Sequence, residues 1–268
     1  MFIELPQNEF KTVRAMFSRR RQYVPAIAVI QGAFPGRVFV DNANSPSMAI
    51  VWALGRWAYI EGGAHRTELK SSLTALLSET IIPDSRHMQF NWFELYAPNS
   101  PAWIELLDQT LQPYGATRHS ESVYTWNQSS YRQLRARHMC PSGLTLELME
   151  MPIVPEKILG SRFVPELFRT RAALACSAIV NGETVAVCRS NGFADADEFM
   201  IDVVTYEKDL RGKGYATAAA VGLLDACIER NMVPLWETTE DNTASRRLAA
   251  KLGFVERESY PVYRIDFR

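Results

Sequence analysis

Apolar and polar positions along this chain follow two rhythms. Short apolar or β-branched runs bounded by turn residues predict strands over 37–40, 48–52, 57–60, 87–96 and 123–126, with 26–30 as a further candidate. Leu69, Leu73, Leu76 and Leu77 recur with helical spacing over 69–80, and so do Trp103, Leu106, Leu107 and Leu111 over 102–111. The pattern then begins again. Residues 144–150 alternate, and the runs 172–180 and 184–189 flank Asn181-Gly182, a dipeptide suited to a two-residue hairpin turn. Residues 152–168 are expected to be helical in part, broken by Pro155 and Pro165. Strands at 199–205 and 234–239 enclose an Ala/Leu-rich helix at 216–230, and a strand at 262–266 closes the chain. Strands and helices mixed in this way give an α+β fold.

Two stretches echo each other. Tyr114-Gly115-Ala116-Thr117 leads to Val123-Tyr124, and Leu252-Gly253-Phe254-Val255 leads to Val262-Tyr263. Each places a helix, a glycine, a polar spacer and a Val-Tyr strand in the same order. They predict an N-terminal α/β domain over 1–128 and a second domain over 129–268.

The chemistry concentrates in the second half. The strand at 199–205 runs into Leu210-Arg211-Gly212-Lys213-Gly214-Tyr215-Ala216-Thr217, and a helix follows. A helix start offers unbonded N–H groups to an anion. Two glycines let the backbone approach a ligand, and Arg211 and Lys213 add positive charge beside those N–H groups. The loop reads as a pyrophosphate cradle. It lacks the spacing of a Walker A loop, and Thr217 stands at the third glycine position of a dinucleotide fingerprint, which argues against both of those sites.

Composition narrows the partners. The 268 residues carry 29 basic and 30 acidic side chains, a net charge of −1, so no nucleic acid or anionic membrane partner is expected. No stretch reaches membrane-spanning length and no leader is evident, which places the chain in the cytoplasm as an expectation. The four cysteines form no C-x-x-C pair; Cys188 and Cys227 sit in apolar runs and read as core. His65, His87, His119 and His138 lack metal-ligand spacing, so no metal is expected.

Arg211-Gly212-Lys213-Gly214-Tyr215-Ala216 resembles the Arg/Gln-x-x-Gly-x-Gly/Ala signature of the GNAT superfamily of acyl-CoA-dependent N-acyltransferases. A second block of that family is matched by Asn242-Thr243-Ala244-Ser245 and Gly253-Phe254. The pattern as a whole is similar to the zwittermicin-resistance type within it. The resemblance implies a C-terminal GNAT fold, a mixed and mostly antiparallel sheet flanked by helices. The first half then becomes a degenerate GNAT-like unit without a cationic loop, and the chain has one acyl-CoA site. The implied activity is acetyl transfer from acetyl-CoA, as cosubstrate, to a primary amine by direct attack in a ternary complex. A small-molecule amine is the implied acceptor, and a protein amine is a second reading. Main-chain groups of Val203, Val204 and Thr205 would meet the pantetheine arm. Amides from Arg211 through Gly212, Lys213, Gly214, Tyr215 and Ala216 to Thr217 would hold the pyrophosphate. Asn242 and Ser245 would touch the pantetheine region, with helix capping as their alternative role.

Removing a proton from the amine requires a base. Glu198 and Asp202 lie four apart, on one face of a strand, and Glu237 lies on the next strand. Asp202 sits in the most apolar part of its run, where desolvation raises a carboxyl pKa; a structural hydrogen bond is the competing role. The family's usual tyrosine, four residues before the glycine of Gly-Phe, is Ala249 here, with Tyr260 and Tyr263 as possible substitutes. That exchange keeps a second class open: a non-catalytic acyl-CoA-binding or sensing module.

Overall fold

A computed structural model describes residues 1–53, 55–64, 68–150 and 174–267. In chain order the elements are β1 (Ile3–Glu4), α1 (Arg14–Phe17), α2 (Val24–Ile30), β2 (Gly36–Val40), β3 (Met48–Ala53), β4 (Trp57–Gly62), α3 (Leu69–Leu76), α4 (Ile82–His87), β5 (Trp92–Tyr96) and α5 (Pro101–Leu111). There follow β6 (Thr117–Trp126), α6 (Gln128–Arg135), β7 (Leu144–Glu150), β8 (Leu174–Val180), β9 (Glu183–Asp195), β10 (Glu198–Thr205), α7 (Tyr215–Arg230), β11 (Val233–Thr239), α8 (Thr243–Lys251) and β12 (Phe254–Asp266). The class is α+β. No helix among the described residues is long and apolar enough to cross a membrane.

The chain divides into two compact units. The first holds Met1–Glu121 together with Ser259–Arg268, and its strands run β1-β2-β3-β4-β5-β12. All neighbours in it are antiparallel except β4 and β5. Its core lies between one sheet face (Ile50, Trp52, Ile60, Phe93, Leu95, Ile265) and the apolar stripes of α3 and α5 (Leu69, Leu73, Trp103, Leu107, Leu111). These stripes are the ones expected from helical spacing.

The second unit takes the described residues from Ser122 to Glu258, with strand order β6-β11-β10-β9-β8-β7. Here β7 through β10 form an antiparallel meander, and β11 joins β10 in parallel. A parallel neighbour needs a crossover, and α7 supplies it. The buried side of α7 (Ala219, Ala220, Leu223, Leu224, Cys227) packs on Cys176, Cys188, Phe199 and Ile201. Both units thus build an antiparallel meander, a helical crossover and one parallel strand. Each repeat continues into a long strand, β6 or β12, after a glycine of positive φ, Gly115 at 67° or Gly253 at 85°.

Three expectations need correction. Residues 26–30 are helical: they belong to α2, whose seven residues are all buried and whose second position is Pro25. A short run apolar on every side fits a buried helix as well as a strand, and proline near a helix start favours the helix. The helix expected over 69–80 continues to His87 through a π-turn at Leu77–Ile81. Pro83 has no N–H for the bond to residue 79, and the wider turn absorbs the loss. The strand expected from 87 consequently begins at Trp92. β6 and β12 are also longer than expected: polar residues, 117–122 in β6 and 256–259 in β12, interrupt the apolar pattern without ending the strand. The hairpin at Asn181-Gly182 forms as expected, with φ of 51° and 81°. The partly helical segment expected over 152–168 lies outside the described residues.

Close packing of α7 on β8 yields a stability test. A Cβ built on Gly222 would stand 2.5 Å from Cys176 Sγ. Gly222→Ala is expected to destabilise the fold by about 1–2 kcal/mol, since overpacking outweighs the better helix propensity of alanine. Cys176→Ala in the same chain removes the obstructing sulfur, so the double variant should be more stable than Gly222→Ala alone. Denaturant unfolding of the three variants checks this.

Candidate functional site

The site begins where two parallel strands separate. Glu198–Ile201 of β10 pair with Val233–Trp236 of β11. From Asp202 to Thr205 the β10 ladder continues, among the described residues, only with β9. Backbone direction follows from two bonds. Val233 N–H donates to the Asp197 carbonyl at 2.8 Å, so odd-numbered residues of β10 turn their main-chain groups toward β11. Tyr206 N–H donates to Val185 O at 3.2 Å, which turns the even-numbered ones toward β9. The main-chain groups of Val203 and Thr205 therefore face the opening. Those of Val204, expected alongside them, are turned to β9. The opening is a strand-shaped slot with donors and acceptors on its β10 wall.

The loop expected as an anion cradle follows directly. A single 3₁₀ turn, Lys208–Leu210, ends β10's extension and gives way to Gly212 at φ 77° and Gly214 at φ 88°. Gly214 is the N-cap of α7, and no side chain caps that end. The first bond of the helix runs from Ala218 N–H to Gly214 O at 2.9 Å, which leaves the amides of Tyr215, Ala216 and Thr217 directed outward. No acidic side chain lies in the first turn. Arg211 and Lys213 are exposed beside it. A Cβ on Gly212 would meet nothing within 4 Å, so the positive φ, and not crowding, is what favours glycine there.

The three candidate bases share one face. Strand alternation puts Glu198, Met200 and Asp202 on the side of β10 opposite the α7 core, and the register with β11 puts Leu235 and Glu237 on that same side. Asp202 and Glu237 stand where the strands part. Glu198 pairs with Asp195 and Val233 at the closed end, roughly 13 Å along the strand from Asp202. Asp202 can be reached by solvent, yet protein surrounds it. That loss of hydration raises its carboxyl pKa, more than the facing Arg189 lowers it. Exposure combined with dense surroundings is what a carboxylate in a recess experiences.

On the α7 side of the sheet, α8 supplies Asn242 and Ser245. Asn242 caps the helix, its Oδ1 accepting from Ser245 N–H at 3.1 Å. Ser245 Oγ accepts from Trp236 Nε1–H at 2.9 Å. Trp236 is the last β11 residue still paired with β10. Nothing in the sequence marked Trp236 as more than core, because the separation of the strands is a tertiary event. Ala249 is fully buried in the core of this unit. Tyr263 offers no substitute phenol, since its hydroxyl donates to Asp108 and Ile104 O in the first unit's core, at 2.9 and 3.2 Å. Tyr260 is buried in the same unit, 6.1 Å from the Tyr96 ring. Cys188 and Cys227 are buried, and burial pushes the Cys227 thiol up to about 12. His119 bonds Glu121 at 3.2 Å, His87 ends α4, and His65 lies outside the described residues.

The first unit contains the same separation, filled. Trp57–Tyr59 of β4 pair with Glu94–Tyr96 of β5, and β4 then runs on to Gly62. Glu94 N–H donates to Arg56 O at 2.7 Å, so the carbonyls of Ile60 and Gly62 also face the β5 side. Tyr23 Oη–H donates to Ile60 O at 3.1 Å, and Trp103 Nε1–H donates to Gly62 O at 3.1 Å. Both acceptors are already satisfied by buried aromatic side chains. At the start of α3 the N-cap is Glu68, an acid where α7 has cations nearby.

Comparison with known proteins agrees with this geometry. The family model for GNAT acetyltransferase matches residues 14–263. A Bacillus subtilis protein, the uncharacterised N-acetyltransferase YdfB, is 21% identical over 267 residues, covering 97% of each chain. A GCN5-related N-acetyltransferase-like protein from Streptococcus suis superposes with a TM-score of 0.66 at 20% identity, over 97% of this chain and 99% of its own. A tandem GNAT protein from the clavulanic acid biosynthesis pathway, solved without AcCoA, superposes with a TM-score of 0.58 at 14% identity, over 99% of this chain and 98% of its own. At these identities the solved structures establish the GNAT fold, in one case a tandem one.

The recessed carboxylate carries a pH signature. Folding raises the Asp202 pKa, so its ionised form costs stability above that pKa and costs none once the pH falls below the unfolded value. Asp202→Asn is expected to melt at a higher temperature than the parent at pH 8, and the gain should vanish toward pH 4. Thermal melts across that range check the sign.

Proposed function

We propose that this chain, which belongs to the GNAT acetyltransferase family, transfers the acetyl group of acetyl-CoA to a primary amine of a small molecule by direct attack in a ternary complex. One observation carries the reading. The slot between β10 and β11 opens beside the uncapped, cation-flanked start of α7. An extended amide arm fits the slot, and a diphosphate fits the helix start. When bound, acetyl-CoA supplies the thioester whose carbonyl carbon accepts the amine.

The chain's own residues divide the remaining work. Val203 and Thr205 present main-chain donors and acceptors to the arm in the manner of a sheet neighbour, and Val204 lends side-chain packing. The amides from Gly212 to Thr217, with Arg211 and Lys213, hold the diphosphate through charge-assisted hydrogen bonds. Asp202, whose carboxyl pKa is raised by lost hydration, takes the amine proton directly or through water; Glu237 across the opening and Glu198 further along bind the cationic acceptor. The second unit, within Ser122–Glu258 and not the 129–268 expected from the sequence, is the catalytic domain in this reading, and the first repeat lacks a site because Tyr23 and Trp103 occupy its slot. A working place in the cytoplasm, where acetyl-CoA is available, goes with this reading.

A second reading is supported by Ala249: without the family's usual tyrosine the chain would bind acyl-CoA as a sensor. Thiol release from acetyl-CoA with a panel of amines (spermidine, tyramine, lysine, kanamycin) separates the two. Transfer predicts amine-dependent release with at least one member. Tight acetyl-CoA binding with no release on any amine favours the sensor. Arg211→Ala/Lys213→Ala is expected to raise the KM for acetyl-CoA about tenfold with little change in kcat, because the diphosphate contacts are equal in ground and transition states.

A further inference from the structure

The family signature leaves the departing sulfur without a phenol, since Ala249 is an apolar core residue here. A different polar group reaches the same region of the fold. Ser245 Oγ accepts the Trp236 indole N–H at 2.9 Å, and Trp236 is paired with Ile201, the last rung before the strands separate. Ser245 is therefore tied, through the indole, to the β11 residue at the vertex of the slot, on the sheet face that Trp236 shares with α7. The backbone N–H of Ser245 is used to satisfy the Asn242 cap, which fixes the residue in the first turn of α8. Its hydroxyl proton has no acceptor among the described residues.

We propose that Ser245 is a catalytic residue whose hydroxyl donates a hydrogen bond to the sulfur as the carbon–sulfur bond breaks. This rests on the acetyl-transfer reading of the same slot. The indole donating to Oγ has three effects. It fixes the side-chain rotamer, and it occupies a lone pair so that the O–H is directed away from Trp236. It also polarises the hydroxyl, strengthening it as a donor. The electrons balance without a serine alkoxide. The amine nitrogen forms the new bond to the acyl carbon, and the carbon–sulfur pair stays on sulfur. The amine proton leaves to Asp202 or water, and Ser245 keeps its proton while stabilising the thiolate. A thiolate is a far weaker base than a serine alkoxide, so a hydrogen bond and not a full proton transfer is the appropriate help. Trp236 is a positioning residue that acts through Ser245.

Binding of free CoA tests this without turnover. A donor aimed at the sulfur favours the thiolate of bound CoA, so affinity should rise with pH as the thiol ionises. At pH 9, Ser245→Ala is expected to bind CoA about tenfold more weakly than the parent, while desulfo-CoA, which lacks the sulfur, binds both alike. Ser245→Thr, which keeps the hydroxyl, should restore the pH dependence, and Trp236→Phe should fall between. In single-turnover thiol release, with water as acceptor where no amine of the panel reacts, Ser245→Ala should slow cleavage about tenfold at saturating acetyl-CoA. Equal CoA affinities at pH 9, or an equal loss for desulfo-CoA, would overturn the proposal and leave Ser245 an ordinary contact. Failure of the parent chain to bind CoA at all would instead remove the acetyl-transfer reading beneath it.

Discussion

The structure of the second unit turns on two strands that begin together and then part. β10 and β11 share four rungs, from Glu198 with Val233 to Ile201 with Trp236, and then diverge. A β-strand abandoned by one neighbour must find other partners for its main-chain groups. Val203 and Thr205 carry that requirement, and the helix that follows carries a matching one in its uncapped amides. A single ligand with an amide-bearing arm and a terminal diphosphate would satisfy both. Carboxylates on one sheet face and a serine held by an indole on the other then flank the place where the strands part.

The first unit satisfies a similar parting of strands with its own side chains. Its β4 and β5 part in the same way, but Tyr23 and Trp103 donate to the carbonyls left over at Ile60 and Gly62. The aromatic side chains serve as permanent occupants. A buried polar group has to be paired, and here the pairing comes from within the chain. The acid at Glu68 completes the change, since a diphosphate has no electrostatic reason to approach that helix start.

Much of this was legible in the sequence, and the residues show why. Gly212 and Gly214 between an apolar strand and an Ala-rich helix specify positive-φ positions, and the structure has both at the start of α7. The Gly115 and Gly253 echo anticipated the repeated design. Other features depend on partners distant in the chain. Periodicity could not assign 26–30, because a helix buried on every side looks like a strand. Even the parity that separates Val203 and Thr205 from Val204 comes from two tertiary hydrogen bonds, Val233 to Asp197 and Tyr206 to Val185. The link from Trp236 to Ser245 joins an apolar strand residue to a helix cap, two roles that sequence treats as unrelated.

Backbone amide exchange with and without CoA tests the central claim most directly. Protection is expected at Val203, Thr205 and the amides from Gly212 to Thr217, with no change at Ile60, Glu61 or the start of α3. Unchanged exchange across β10 and α7 at saturating CoA, or protection that appears instead along β4, would contradict the account.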